Sequence, residues 1–181
     1  SEGLAPIAGA LPDDAGAVDG LAGTTGLEAA VADVGVVVET ATTGRATLQA
    51  NFAELEAFVD RETLVTLAAD SGPVTAAAAG LRHPDRAIGL RFRDPLNTPL
   101  VEVVVADQTS QETSDRTESF VDGLDRVPVV VRDSPGVVST RAALALETEA
   151  MRLVGDDVAG VAAVDKILEL GFDHASGPLE Q

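Results

Sequence analysis

The chain has 181 residues and a formal net charge of −18, from 30 acidic and 12 basic side chains, with no cysteine and two histidines. That charge repels phosphate backbones, so nucleic-acid partners are not expected, and disulfides, thiolate chemistry and a histidine-rich metal site are excluded. No apolar run approaches the roughly 18 residues of a membrane span, and the opening SEGLAPIAGALPDD lacks the basic start and apolar core of a secretory leader, so a soluble cytoplasmic protein is expected.

Residues 1–23, rich in Ala and Gly, predict short helical pieces and turns. LEAAVAD (27–33) predicts a helix, and VGVVVET (34–40), β-branched and nearly all apolar, predicts a buried parallel-type strand. ATLQANFAELEAFV (46–59) sets Leu48, Phe52, Leu55 and Phe58 at helical spacing. LVTLAA (64–69) predicts a second buried strand, VTAAAAGLR (74–82) a short helix, and AIGLRF (87–92) and LVEVVVA (100–106) two further strands. TSDRTESFVDGLD (113–125) predicts an amphipathic helix and VPVVVRD (127–133) the last strand. Strands alternating with helices at this spacing indicate an α/β architecture with a largely parallel sheet.

Past Ser134-Pro135-Gly136 the pattern changes. Residues 137–154 and 158–171 predict two helices, the second ended by Gly171 as a C-cap. The chain is therefore read as an α/β part, residues 1–133, followed by a helical part, residues 134–181. The acidic residues run along the whole chain and Lys166 is the one lysine, a pattern similar to that of proteins from salt-loving microbes, where screening over a few Å tolerates self-repulsion.

Four blocks occur in a telling order: HPDRAIGLRFRDP, PLVEVVVADQTSQET, VPVVVRDSPGVVSTR and LELGFDHASGPLE. Together with GLEAAVADVGVVVETATTGRATLQANFAELEAFV they resemble the NAD-binding domain of the 3-hydroxyacyl-CoA dehydrogenases and the start of its helical C-terminal domain, over residues 20–181. The resemblance implies a partial Rossmann-like sheet lacking its first strands, followed by two helices of a 6-phosphogluconate-dehydrogenase-like C-terminal domain. Such enzymes oxidise the 3-hydroxyl of a fatty acyl-CoA and pass hydride to NAD. That chemistry needs a base near neutrality, a carboxylate to orient it, polar groups to align thioester and nicotinamide, and a Gly-rich turn at a helix N-terminus for the pyrophosphate.

Measured against the family pattern, the chemical positions are largely altered. Arg91 stands where the resemblance implies the catalytic histidine of an HxFNP-like motif, and a guanidinium stays protonated at working pH. The partner glutamate is retained as Glu102, and an Arg91–Glu102 ion pair between neighbouring strands is expected in place of the His–Glu pair. Thr140 replaces the asparagine of a PGFxxNR-like element, Ser71 is the hydroxyl left from an NTSS-like turn, Leu48 replaces a substrate-side lysine, and Glu39 and Thr43 lie at the matching strand end. His83 before Pro84 is read as a turn residue, His174 as packing or capping although it matches a position near the substrate cleft, Arg141 as structural, and Met151 as core. The run ETSDRTES (112–119) is read as a solvated helix face and no metal site is expected.

No G-x-G-x-x-G occurs, and Gly20, Gly23 and Gly26 are spaced G-x-x-G-x-x-G without a preceding strand. The expectation is thus a family member without the first strands and without a cofactor of its own, NAD entering only if the family activity persists. VGVVVET is then an exposed sheet edge, to be covered by the N-terminal 20 residues, a second copy or another polypeptide. The first functional reading is a non-catalytic binding or assembly protein, with a homo-oligomer or partner protein covering the edge. The alternative is NAD-dependent oxidation of 3-hydroxyacyl-CoA with a partner chain supplying the nucleotide-binding half. A third is a sensor that keeps a residual acyl-CoA or nucleotide site.

Overall fold

A computed structural model describes residues 22–40, 45–68 and 72–180. In chain order they form α1 (Leu27–Val31), β1 (Val36–Glu39), α2 (Arg45–Leu55), β2 (Leu64–Ala68), α3 (Val74–Ala78), a 3-10 turn (Pro84–Arg86), β3 (Ala87–Phe92) and β4 (Leu100–Val105). There follow α4 (Gln111–Asp122), β5 (Val127–Arg132), α5 (Ser139–Gly155) and α6 (Val161–Phe172). Every predicted strand and helix on described residues is present, with ends moved by a few residues. At α4 the shift has a visible cause: the Ser110 side chain accepts from the Thr113 N–H at 3.1 Å and starts the helix before the predicted Thr113.

The five strands form one sheet in the order β1-β2-β3-β4-β5. Three pairings are parallel, but β3 and β4 run antiparallel. The expectation of a largely parallel sheet therefore needs one correction. Only the short segment 93–99 joins β3 to β4, and a parallel crossover takes a dozen residues or more. The consequence matters for the site, because the antiparallel turn brings Arg91 into direct register with Glu102.

Alternation along β3 sends its side chains to two faces. Ile88 and Leu90 pack with Val101, Val103 and Val121 of α4, with Phe92 and Phe120 at the margin. On the opposite face Leu48 and Phe52 of α2 and Val74 and Ala77 of α3 cover Val65, Leu67, Ala87 and Val104. Arg91 and Glu102 follow Ala87 and Val104 in the alternation, so they belong to this second face. Val137, which joins the same cluster, leads from β5 into α5 there.

Both sheet edges are more open than the apolar sequence suggested. β1 is not a buried strand but, as the missing first strands implied, an edge: among the described residues it has one neighbour, and Val38 is 42% exposed. On β5, Val127, Val129 and Val130 are also exposed. The helical pair buries Ala150 and Val164 but leaves Leu144, Met151, Ile167, Leu170 and Phe172 in the open. Met151 is thus a surface residue, 62% exposed, and not core. Gly171 lies within α6, and the left-handed C-cap is Asp173 at φ 58, whose N–H bonds the Leu168 carbonyl. An Asp adopts that conformation through its short polar side chain, so the glycine was not needed.

Candidate functional site

A cleft of about 380 Å³ opens on the α2/α3 face, between the start of α3 and the turn leading into α5. Its walls include Gly72, Pro73, Arg91, Asp133, Gly136 and Thr140. The turn is conformationally demanding: Gly136 has φ +75 and Val137, a β-branched residue, has φ +40. That left-handed pair swings the chain from the end of β5 onto the sheet face, and Val137 is held in it by burial in the core.

Glu102 is the organising side chain. It is 3% exposed, and Oε1 accepts the N–H groups of Val138 at 3.2 Å and Ser139 at 3.0 Å. Oε2 accepts the Ser139 hydroxyl at 2.6 Å and lies 3.6 Å from Nε of Arg91. Val138 at the head of α5 offers no capping side chain, so a carboxylate from β4 satisfies the helix's unpaired donors and meets the positive end of its dipole. Asp133 does the equivalent for α3, accepting the Thr75 N–H at 2.8 Å where the N-cap Pro73 has no side-chain oxygen.

The structure thus brings three of the predicted site residues together. Arg91 and Thr140 line the cleft and Glu102 lies behind Arg91, forming the expected ion pair. Thr140 Oγ1 is buried without a hydrogen-bond partner. Arg91 is held in place, its side chain 16% exposed. Glu39 ends β1 and is separated from β3 by β2. Ser71 and Thr43 lie outside the described residues. Leu48, which the resemblance matched to a substrate-side lysine, is a core residue of α2. His83 and Arg141 are exposed, and exposed His174 lines a separate surface cleft with Arg93 and Ser139. Sequence reasoning missed Asp133 and Ser139. Their roles depend on backbone donors brought from distant helix starts, and no local spacing signals such a contact.

A pyrophosphate is held by free N–H groups at a helix N-terminus after a Gly-rich turn. Among the described residues, the two helix starts that border this cleft are already occupied by the carboxylates of Asp133 and Glu102. A third start, that of α4, is occupied by its own Ser110. The helix starts bordering this cleft therefore offer no free donors to the pyrophosphate of NAD, and no step is derived through that cofactor.

The sheet with helices on both faces and a cleft beside β3 defines a Rossmann-like α/β domain. Residues 11–134 match the family described as "3-hydroxyacyl-CoA dehydrogenase, NAD binding domain", and the chain belongs to that family. It is 33% identical over 145 residues to a probable 3-hydroxybutyryl-CoA dehydrogenase of Bacillus subtilis, covering 80% of this chain and 50% of that protein. A probable 3-hydroxybutyryl-CoA dehydrogenase of Deinococcus radiodurans is 34% identical over 149 residues, 82% of this chain and 54% of the relative. Among solved structures, the 3-hydroxybutyryl-CoA dehydrogenase of Escherichia coli superposes with a TM-score of 0.83 at 30% identity, over 90% of this chain and 34% of that one. The (S)-3-hydroxybutyryl-CoA dehydrogenase of Ralstonia eutropha gives 0.79 at 28% identity, over 87% and 56%. The chain spans about half the length of the curated relatives it matches. Among the described residues no helix is long and apolar enough to cross a membrane.

Proposed function

We propose that this chain does not carry out the family's hydride transfer by itself and acts as a binding or assembly protein built on the family fold. The observation behind this reading is Arg91. It stands in register with Glu102, the resemblance implies the family base at its position, and its guanidinium cannot accept the hydroxyl proton. Glu102 has structural employment there, since three donors of the α5 start converge on it. Assembly is supported by the open edges β1 and β5 and by the exposed apolar residues of α5 and α6, which suit a second copy or a partner protein. In this reading residues 134–181 are a separate helical segment, the acidic surface serves in concentrated salt, and the protein is cytoplasmic.

The competing reading is NAD-dependent oxidation of a 3-hydroxyacyl-CoA, with another polypeptide supplying the nucleotide-binding half. It draws support from the family membership and from the shorter span of this chain relative to its relatives. Incubation with NAD and 3-hydroxybutyryl-CoA, of the purified chain alone and of the chain mixed with a nucleotide-binding half of the family supplied in trans, read as NADH formation at about 340 nm, separates the two. No turnover is expected, and steady NADH formation that Arg91→Gln abolishes would refute the non-catalytic reading. Arg91→His alone is also expected to stay inactive, because the helix starts bordering the cleft are already occupied by Asp133 and Glu102.

A further inference from the structure

We propose that the β1 edge of the sheet binds an extended, basic segment of a partner protein, which adds to it as a further strand. This rests on the assembly reading above and deepens it by naming one edge and one kind of partner. The backbone of β1 carries it. Leu64 donates to the Gly35 carbonyl at 2.9 Å, and Val36 to Glu39 run parallel to Leu64 to Leu67. Alternation then turns the N–H and C=O groups of Val37 and Glu39 to β2 and those of Val36 and Val38 outward. No described strand pairs with these outward groups, and Val38 is 42% exposed. Open donors and acceptors along an edge are a template for strand addition. The opposite edge is protected. On β5, Val127 donates to the Pro99 carbonyl at 2.8 Å and Asp133 to the Val105 carbonyl at 2.9 Å, so Pro128, Val130 and Arg132 face away from β4. Pro128 has no N–H to give and breaks that outward row, whereas β1 contains no proline.

The charge beside β1 selects the partner. The approach to the strand borders a hollow of about 390 Å³ lined by Asp33, Asp60 and Glu62. The one basic residue there, Arg116, already donates to the Glu62 carbonyl. Among the described residues no group of acidic or histidine side chains is placed to hold a metal ion, so these acids are a surface for a cationic side chain. An added strand lies about 4.8 Å from β1, and a Lys or Arg at its end reaches that hollow. Val36 and Val38 favour β-branched residues beside them. A second copy fits worse, since it brings the same acids and a net charge of −18 to the contact. Residues 1–21 match no better in charge, with four acidic side chains and no basic one.

The test is fluorescence anisotropy of a labelled peptide with the full chain at one ionic strength. The peptide has about eight residues, Val alternating with Thr between Lys ends. Two controls share its core: one has Glu ends, and one keeps the Lys ends but is N-methylated throughout the core. Saturable binding of the Lys-ended peptide is expected, with about tenfold weaker binding of the Glu-ended one and none of the N-methylated one. Val38→Pro removes an outward N–H and keeps the bonds to β2, so it should weaken the Lys-ended peptide by about tenfold. Asp33→Asn, Asp60→Asn and Glu62→Gln together should weaken it by about fivefold and narrow the gap between the Lys and Glu ends; Asn tolerates the left-handed backbone of Asp33 at φ 57. No saturable binding of the Lys-ended peptide, equal binding of either control, or unchanged affinity in folded Val38→Pro would overturn the proposal. So would self-association of the chain that Val38→Pro abolishes, since a second copy would then hold the edge. The readout is binding and not NADH. Hydride transfer would sink the non-catalytic reading and leave the edge standing, whereas absence of peptide binding would leave the consequence of Arg91 untouched.

Discussion

Glu102→Gln removes the negative charge and nothing else of size, and its cost measures how much the site is structural. In the native state the carboxylate accepts from Val138 N–H at 3.2 Å, Ser139 N–H at 3.0 Å and Ser139 Oγ at 2.6 Å, and pairs with Arg91 at 3.6 Å. Hydrogen bonds to a charged acceptor contribute about 1.5–3 kcal/mol each, but three on one group do not add. The amide keeps one acceptor oxygen and sets an NH2 against either a donor or the guanidinium. Removing one member of a buried pair costs about 3–5 kcal/mol, and the retained oxygen favours the low end, so about 3 kcal/mol is expected. Against a total stability of about 5–15 kcal/mol that shift is large, and urea unfolding followed by far-UV circular dichroism will show it as a lower midpoint at constant slope. Arg91→Met should cost much less, about 1 kcal/mol, because the α5 donors still satisfy the carboxylate. A Glu102→Gln variant within about 0.5 kcal/mol of wild type would refute the reasoning. So would an Arg91→Met variant as unstable as Glu102→Gln, since the ion pair and not the helix start would then be the main partner.

Three further outcomes are expected. The Glu56 carboxylate, 7% exposed, accepts from the Arg82 and His83 N–H groups and pairs with buried Arg86 at 3.3 Å, so Glu56→Ala should lower stability by about 3–5 kcal/mol in the same urea assay. A Cβ on Gly80 would stand 2.5 Å from the Gln49 carbonyl oxygen of α2, and Gly80→Ala should cost about 1–3 kcal/mol, read as a lower thermal midpoint. Leu170 and Phe172 are 77% and 68% exposed, so the double change to Glu should leave the unfolding midpoint within about 0.5 kcal/mol of wild type while reducing any self-association seen by light scattering.

What the sequence made legible depended on how local the cause was. β3 shows its two faces through Ile88 and Leu90 against Ala87, Gly89 and Arg91, and its bounds matched the prediction, Ala87–Phe92. The Arg91–Glu102 pair was also legible, because a family pattern placed both residues and the short 93–99 connection fixed their strands as neighbours. For β1 the apolar run by itself predicted burial, because it reports the burial a strand can accept and not the neighbours it has, whereas the missing first strands implied the edge position seen among the described residues; Val38 stays 42% exposed. Met151 failed for a similar reason. Its helix face is amphipathic, but among the described residues little lies against that face. Asp133 was invisible because its partner is a backbone N–H, which every residue except proline carries and which leaves no mark in composition, and Ser139 because the carboxylate it donates to, Glu102, is distant in the chain.

The retained glutamate therefore has to be weighed with care. Where the resemblance implies a retained glutamate at Glu102 beside an altered base position, the glutamate alone reads as a relic of catalysis. The geometry supplies a second reason for it to be there. The residue holds the first turn of α5 against β4, and it does so with both oxygens, independently of what stands at position 91. Whatever stands at position 91, the attachment of α5 uses the Val138 and Ser139 donors, and Arg91 adds an ion pair at 3.6 Å beside them.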